Sequence, residues 1–461
     1  MAETSPAGKT LMAGVSGVRG IVGAGLDPVV AADYAAAYAR LCAPGPILLA
    51  RDPRRSGTMI RQAVLSGLLA SGRRVIDLGI VPTPTLLLNT PALEAAGGIM
   101  ITASHNPVEW NGLKFADPAG RYLAPEDSHL LIGDASSGVR SWVRWDELGE
   151  LEVDWEGGLR HTGRAAAAPG VDLEAVAGAG LVAAVDGCGG AGSEILPDFL
   201  EENGVEVHRI HCGMDGTFPR PPEPSADALG DLGAEVRDRG AHLGLALDPD
   251  ADRLALVGPD GLPLGEELTL ALAARQVLGV RPGPVAANLS TSRMLDDVCG
   301  EAGVELVRTP VGEINVVEGM LEASAVIGGE GNGGVIHPDV VLGRDALTAS
   351  ALVLSALARA GGDLETLRSG IPVYAMIKRK LPLPGEGAES FGERLREAAA
   401  DFEDARVDTR DGLRVDWEDR WVHVRPSNTE PIARLIAEAP TPEEAEETGR
   451  MAAERFGMEV T

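Results

Sequence analysis

Leu181-Val182-Ala183-Ala184-Val185 runs directly into Asp186-Gly187-Cys188-Gly189-Gly190, an apolar strand-like stretch feeding a small, polar loop. The same order occurs twice more. Pro46 to Ala50 leads into Arg51-Asp52-Pro53-Arg54-Arg55-Ser56-Gly57, and Pro284 to Asn288 leads into Leu289-Ser290-Thr291-Ser292. After each loop comes a stretch with helical spacing, as in Ile60, Val64, Leu65 and Leu68. Three copies of one strand-loop-helix unit predict α/β domains, with largely parallel sheets carrying helices on both faces. The alternation weakens beyond Ile371-Pro372-Val373, where the acidic segment 386–404 reads as a surface helix and Trp421-Val422-His423-Val424 as a strand ending at Arg425. A smaller α+β domain is expected there. The predicted division is 1–155, 156–258, 259–371 and 372–461.

Length and composition fit that reading. A chain of 461 residues has room for about three or four domains, each large enough to bury a core. No apolar run reaches the roughly 18 to 20 residues of a membrane span, and MAETSPAGKT lacks the apolar centre of a signal peptide. A cytoplasmic protein, monomer or homodimer, is expected. Cys42, Cys188, Cys212 and Cys299 are far apart and form no CxxC pair, so they read as reduced structural thiols rather than zinc ligands or disulfides. A formal charge of -29 excludes a nucleic-acid partner, which needs a basic surface. Recognition of a small anion would then rest on local clusters of positive charge and not on the net charge.

Two runs carry chemistry. In Asp248-Pro249-Asp250-Ala251-Asp252-Arg253, three carboxylates alternate between the apolar stretches Leu243 to Leu247 and Leu254 to Val257. Oxygen ligands at that spacing suit a hard cation such as Mg2+, and a carboxylate cluster between two buried strands is poorly solvated without one. The plain alternative is a solvated acidic turn. Upstream, Thr102-Ala103-Ser104-His105-Asn106-Pro107 follows the apolar run Gly98 to Ile101, placing Ser104 on a loop at a strand end, where open parallel sheets bind ligands. An ordinary Ser-x-x-Pro turn is the alternative; a serine hydrolase is disfavoured because no G-x-S-x-G elbow surrounds Ser104. Gly187, Gly189 and Gly192 match G-x-G-x-x-G, with Glu206 near the place of a ribose-binding acid. Because Asp186 opens that loop and the aspartate run follows in the same predicted domain, these glycines read as a tight strand-to-helix turn rather than an NAD site.

Taken together, these motifs resemble the alpha-D-phosphohexomutases. The resemblance runs from about Gly14 to Arg434 and rests on the serine loop at 102–107, the aspartate loop at 248–253, Gly329-Glu330-Gly331-Asn332-Gly333 and Arg425-Pro426-Ser427-Asn428-Thr429-Glu430-Pro431, with Ser16-Gly17-Val18-Arg19-Gly20 as an N-terminal signature. It implies four domains around a central cleft, and interconversion of sugar 6-phosphates and 1-phosphates through a phosphoserine at Ser104 and a sugar 1,6-bisphosphate. It further implies one Mg2+ held by Ser104, Asp248, Asp250 and Asp252, assisted by Arg19 and Arg253. Lys114 is either a proton acceptor or a permanently charged phosphate contact; His105 is the other candidate base. Glu330 and Asn332 are expected to clamp sugar hydroxyls, and Arg425, Ser427, Asn428, Thr429 and Arg434 to grip the phosphate that is not transferred. The alternative for the 425–431 run is a capped turn ahead of a helix starting near Pro431. Asn332 and Gly334 stand where the commoner bacterial pattern has serine and histidine. In Val311-Gly312-Glu313 the carboxylate replaces the histidine usual in phosphomannomutases and phosphoglucomutases, which favours glucosamine phosphate, because a carboxylate pairs with an ammonium. A glucose or mannose phosphate mutase and a metal-dependent sugar phosphatase are the alternatives.

Overall fold

A computed structural model describes residues 11–384, 387–402, 404–427 and 432–458. The chain divides into two compact units: residues up to Arg281 with Asn332–Arg368, and Pro282–Gly331 with the residues from Ser369 onward.

The first unit holds two sheets. In the larger, β1 (Met12–Gly14), β2 (Gly17–Ile21), β3 (Ile47–Arg51), β4 (Val75–Ile80), β5 (Gly97–Ile101), β6 (Trp110–Ala116) and β7 (Leu151–Val153) lie in the order β1-β2-β6-β5-β3-β4-β7. Strands β5, β3, β4 and β7 are parallel, as the strand-loop-helix repeat predicts. The sheet is nonetheless mixed, because β6 runs antiparallel to both β5 and β2. That reversal sets Arg19 on β2 opposite Gly112 on β6, and Lys114 on β6 opposite Met100 on β5. β3 and β5 are almost wholly buried, the continuous apolar run of a strand covered on both faces. The flanking helix Pro28–Leu41 starts where Asp27 accepts from the amides of Val29 and Val30, with proline in its first turn. In the second sheet, β8 (Val182–Asp186), β9 (Glu206–Ile210), β10 (Leu243–Leu247) and β11 (Leu254–Val257) lie in the order β11-β10-β8-β9. The turn from β10 into antiparallel β11 is the three-aspartate loop.

In the second unit, β12 (Val285–Asn288) pairs in parallel with β13 (Leu306–Thr309) and β14 (Ile327–Glu330), under the helix Glu313–Ala323. β15 (Gly334–Ile336) belongs to the first unit, packed by the helices Glu267–Leu278 and Ala346–Arg359. The C-terminal sheet is antiparallel, in the order β16-β20-β19-β18-β17: β16 (Ala375–Pro382), β17 (Arg406–Asp408), β18 (Leu413–Asp416), β19 (Trp421–Pro426) and β20 (Ile432–Ala439). β20 corrects the expectation of a helix near Pro431. Ala433, Leu435 and Ala437 alternate into the core, the period of a strand and not of a helix. Within 386–404, the helix Ala388–Glu397 forms as its acidic, amphipathic pattern predicts. No helix among the described residues is long and apolar enough to cross a membrane.

Candidate active site

Ser104 follows β5 and sits in the left-handed backbone region, at φ +50°. That conformation costs a non-glycine residue roughly 1–2 kcal/mol. The neighbouring strand β3 supplies what holds it. Asp52 and Arg54, both fully buried just beyond β3, form an ion pair with Arg54 Nε donating to Asp52 Oδ2 at 2.9 Å. Arg54 Nη1 donates to the carbonyls of Pro107 (2.6 Å) and Trp110 (3.0 Å), and Nη2 to those of Ser104 (2.5 Å) and Asn106 (2.8 Å). All five donors of a guanidinium are thereby spent on one carboxylate and four backbone carbonyls. Asp52 also accepts from Thr102 Oγ1 (2.7 Å), which accepts from the Ser104 amide (2.9 Å). Burial keeps the Asp52 carboxyl above its ordinary range even with Arg54 beside it.

Held this way, Ser104 Oγ donates to Asp248 Oδ2 at 3.2 Å and lies 3.4 Å from His105 Nδ1. Asp248, Asp250 and Asp252 are buried and offer carboxylate oxygens all within 4.8 Å of one another. Asp248 Oδ1 accepts from the amides of Asp252 (3.0 Å) and Arg253 (3.2 Å) across a turn in which Ala251 is left-handed, at φ +53°. Asp250 Oδ2 accepts from Thr83 Oγ1 (2.6 Å) and Lys114 Nζ (2.8 Å), and Asp252 Oδ2 from Arg344 Nη2 (2.6 Å). In both residues one oxygen is pinned. The other, Asp250 Oδ1 or Asp252 Oδ1, is buried and accepts no hydrogen bond among the described residues, the nearest cation to Asp252 Oδ1 being Arg253 Nε at 3.7 Å. Two bare carboxylate oxygens beside Asp248 and a serine hydroxyl are an all-oxygen donor set that fits a hard divalent cation. Thr83, Lys114 and Arg344 orient it from outside, as groups behind metal ligands do.

The local charges follow from this crowding. Burial, then Asp252 and Asp250, push the Asp248 carboxyl well above the carboxylate range. Burial works in the same direction on Asp250, but Lys114 and hydrogen bonds from Lys114 and Thr83 outweigh it and hold that carboxyl low. For Lys114 burial alone would lower the ammonium, yet Asp250, Tyr122 and Asp252 raise it well above its ordinary value. His105 is driven down to about 2 by burial and then by Arg253, Arg344 and Arg19, so its ring is neutral. Arg19 Nη1 donates to Asn106 Oδ1 (3.0 Å). Arg253 is ion-paired with Glu223, whose other oxygen lies 3.4 Å from His105 Nε2.

The glycine-rich run after β8 serves this loop. A Cβ on Gly190 would lie 2.6 Å from the backbone of Pro249, and one on Gly192 would lie 2.5 Å from Leu247. The Ala191 amide donates to the Pro249 carbonyl (2.7 Å), and Arg220, paired with buried Asp186, donates to that of Leu247 (2.6 Å). These glycines therefore let one loop lie against the aspartate loop. Gly334 is small for a similar reason: a Cβ there would be 2.2 Å from Arg344 Cδ, on the side chain that reaches Asp252.

Arg19, Ser104, His105, Lys114, the three aspartates and Arg253 thus come together in the first unit. Asn332 also belongs to that unit, its Oδ1 accepting from the Gly334 amide (3.2 Å). Gly312, Glu313 and Glu330 meet in the second. Glu330 Oε1 accepts from Asn288 Nδ2 (2.7 Å) and the Gly312 amide (3.2 Å), and Glu313 opens the helix Glu313–Ala323. Arg425 and Arg434 face each other across β19 and β20, and the Ser427 amide donates to the Ile432 carbonyl (2.8 Å). Asn428 and Thr429 lie outside the described residues. Sequence reasoning missed Asp52, Arg54, Thr83, Glu223 and Arg344. Asp52-Pro53-Arg54 was in view as a loop after a strand, but only the fold reveals four carbonyls converging on Arg54.

Comparison with known proteins identifies the family. Family models describing the four phosphoglucomutase/phosphomannomutase domains match in order: domain I at 10–136, domain II at 164–261, domain III at 266–374 and the C-terminal domain at 383–455. The chain belongs to the phosphoglucomutase/phosphomannomutase family. It is accordingly a phosphohexomutase, an isomerase acting as an intramolecular phosphotransferase. Among relatives within the family, a probable phosphoglucosamine mutase of Methanopyrus kandleri is 40% identical over 443 residues, covering 94% of this chain and 95% of the relative. A phosphoglucomutase/phosphomannomutase of Thermococcus kodakarensis is 36% identical over 441 residues, covering 94% and 96%. A solved family structure from Burkholderia thailandensis superposes with a TM-score of 0.83 at 26% identity, covering 97% of this chain and 98% of that one.

Proposed function

We propose that this phosphohexomutase interconverts glucosamine 6-phosphate and glucosamine 1-phosphate through a phosphoserine at Ser104 and a sugar 1,6-bisphosphate, with one Mg2+ per chain. The observation that carries the phosphoserine reading is the strained, clamped Ser104 hydroxyl, 3.2 Å from Asp248 beside the two bare oxygens of Asp250 and Asp252. Ser104, Asp248, Asp250 and Asp252 would hold the Mg2+, which when bound neutralises charge on the phosphoryl oxygens. Arg19 and Arg253 add positive charge to the transferring group. In the first transfer the Ser104 Oγ–P bond breaks as an O–P bond forms to the sugar hydroxyl. The hydroxyl proton ends on Ser104 Oγ, while Lys114, held as an ammonium by Asp250 and Asp252, stays a positive contact beside the transferring group. After the bisphosphate turns round, its other phosphoryl group moves to Ser104 Oγ and the proton returns to the sugar oxygen. Glu330 and Asn332 bind sugar hydroxyls; Arg425, Ser427, Asn428, Thr429 and Arg434 bind the other phosphate; Gly312 and Glu313 select the sugar. The roles divide among domains at 1–155, 156–258, 259–371 and 372–461.

Glu313 and the name of the Methanopyrus kandleri relative support glucosamine. The name of the Thermococcus kodakarensis relative supports the second reading, a glucose or mannose phosphate mutase. A coupled assay with Mg2+ and a trace of sugar 1,6-bisphosphate decides, comparing the 6-phosphates of glucosamine, mannose and glucose with Ser104→Ala in parallel. Preference for glucosamine by about tenfold or more, about 1.4 kcal/mol in the transition state, with an inactive serine variant, is the expected result. Preference for mannose or glucose gives the second reading. Turnover of none, or undiminished turnover by Ser104→Ala, overturns the phosphoserine mutase.

A further inference from the structure

In the second unit one carboxylate touches both sets of candidate substrate groups. Asp411 sits in the turn between β17 and β18. Its Oδ2 accepts from the Val311 amide at 3.0 Å, at the head of the loop carrying Gly312 and Glu313. The same oxygen lies 3.7 Å from Arg425 Nη1. At that length the pair orients the guanidinium by charge without consuming a short hydrogen bond, leaving its donors for a phosphate. The turn is itself anchored: the Asp411 carbonyl lies 2.7 Å from His423 Nε2, and His423 Nδ1 lies 2.9 Å from Ser290 Oγ on the loop after β12. Gly412 makes the turn possible, being left-handed at φ +78° where a Cβ would lie 2.3 Å from the Val424 carbonyl.

The charges around Arg425 explain the need. Burial weakens its hold on its proton, and Arg434, its cross-strand partner, acts in the same direction; Asp411 and then Glu330 oppose them. Two guanidiniums on paired strands repel, and a directly opposed like pair is destabilising. Among the described residues, Asp411 is the carboxylate ion-paired with Arg425.

We infer that Asp411 is a positioning residue coupling the sugar loop at 311–313 to the phosphate-binding Arg425, so that one side chain sets both grips. The inference rests on the roles proposed above for those two loops. It separates two functions of one residue. Asp411→Asn keeps an oxygen for the Val311 amide but removes the charge; Asp411→Ala removes both.

The test is a steady-state comparison of Asp411→Asn, Asp411→Ala, Arg425→Ala and the double variant Asp411→Asn/Arg425→Ala, on 6-phosphate and 1-phosphate substrates and on two sugars. Asp411→Asn is expected to raise KM about fivefold in both directions, the scale of coupling between groups in contact, with kcat and the ratio between sugars unchanged. Asp411→Ala should raise KM similarly and also shift the ratio between sugars. The double variant should be no worse in KM than Arg425→Ala, since Asp411 acts through it. Partial misfolding would lower apparent kcat but leave KM alone. If Arg425→Ala raises KM while Asp411→Asn matches wild type, or if the two effects simply add, the inference is overturned and the loop roles survive. If Arg425→Ala leaves KM unchanged, the phosphate-loop role fails and the inference falls with it.

Discussion

Replacing Arg54 by methionine should cost both stability and turnover, and a second substitution should separate the two losses. The change removes the partner of a fully buried carboxylate, for which the general cost is about 3–5 kcal/mol, and abandons four backbone carbonyls. Ser104 would then lose what holds it at φ +50°. Releasing a left-handed residue returns roughly 1–2 kcal/mol, so the relaxed loop should outnumber the competent one by about 5- to 30-fold. Turnover should fall by at least that factor. The double variant Asp52→Leu/Arg54→Met separates the two effects, because replacing a whole buried ion pair by apolar groups is often close to neutral. It should regain the part of the lost stability that comes from the unpaired Asp52 charge in urea melts while remaining slow in the coupled mutase assay. Wild-type turnover by Arg54→Met, or recovery of turnover together with stability in the double variant, would refute the idea that this clamp positions the serine.

Two further outcomes test the frame around the site. Gly190→Ala forces a methyl against the Pro249 backbone, so it should cost about 1–3 kcal/mol as overpacking and raise the Mg2+ concentration giving half-maximal turnover; a metal titration unchanged from wild type would mean the aspartate loop does not depend on that contact. Asp345 is buried, accepts from His161 Nε2 (2.9 Å) and the Leu347 amide (3.0 Å), and has its carboxyl held below the ordinary range because His161 and these hydrogen bonds outweigh burial. Its contribution is then complete above the unfolded value of about 3.9 and is lost as pH falls through the lower folded value. The stability gap between wild type and Asp345→Asn should therefore be constant near neutrality and shrink in acid; a gap that widens in acid would reverse the assignment.

The fold class was legible because local pattern and tertiary position agree in its strands. Ile47 to Ala50 and Leu243 to Leu247 are apolar runs that become fully covered strands. Agreement failed at Ile432 to Ala439, where a proline and an asparagine upstream suggested a capped helix, while the alternating burial of Ala433, Leu435 and Ala437 decides for a strand. The direction of Trp110–Ala116 was equally hidden, since nothing within it reveals that it runs antiparallel to its neighbours. In the site, the groups that face the chemistry could be read because hydroxyl, carboxylate and guanidinium chemistry is carried by residue type. Those that hold them could not. Arg54, Thr83, Arg344 and Asp411 act through long-range contacts with carbonyls, carboxylates and one amide, and no spacing in the chain encodes which carbonyl a guanidinium will meet.

Two of the chain's departures from local backbone preference serve one chemical task. Ser104 and Ala251 are both non-glycine residues in left-handed backbone, and each stands in a loop that carries a buried polar group toward the other. Glycine would relieve both strains, but at 104 it would delete the hydroxyl. The strain is instead offset from behind: Arg54 and Asp52 for the serine loop, the Asp252 and Arg253 amides and the close-packed Gly190 for the aspartate loop. Strain that persists only because its surroundings over-determine it is a mark of a functional site. Here it keeps a hydroxyl and three carboxylates in register. The groups assigned to phosphoryl transfer therefore depend on buried supports within the first unit, and damage to those supports should appear mainly in kcat. Among the groups assigned to substrate recognition, Arg425 and the loop at 311–313 contact Asp411 in the second unit, where damage should appear in KM.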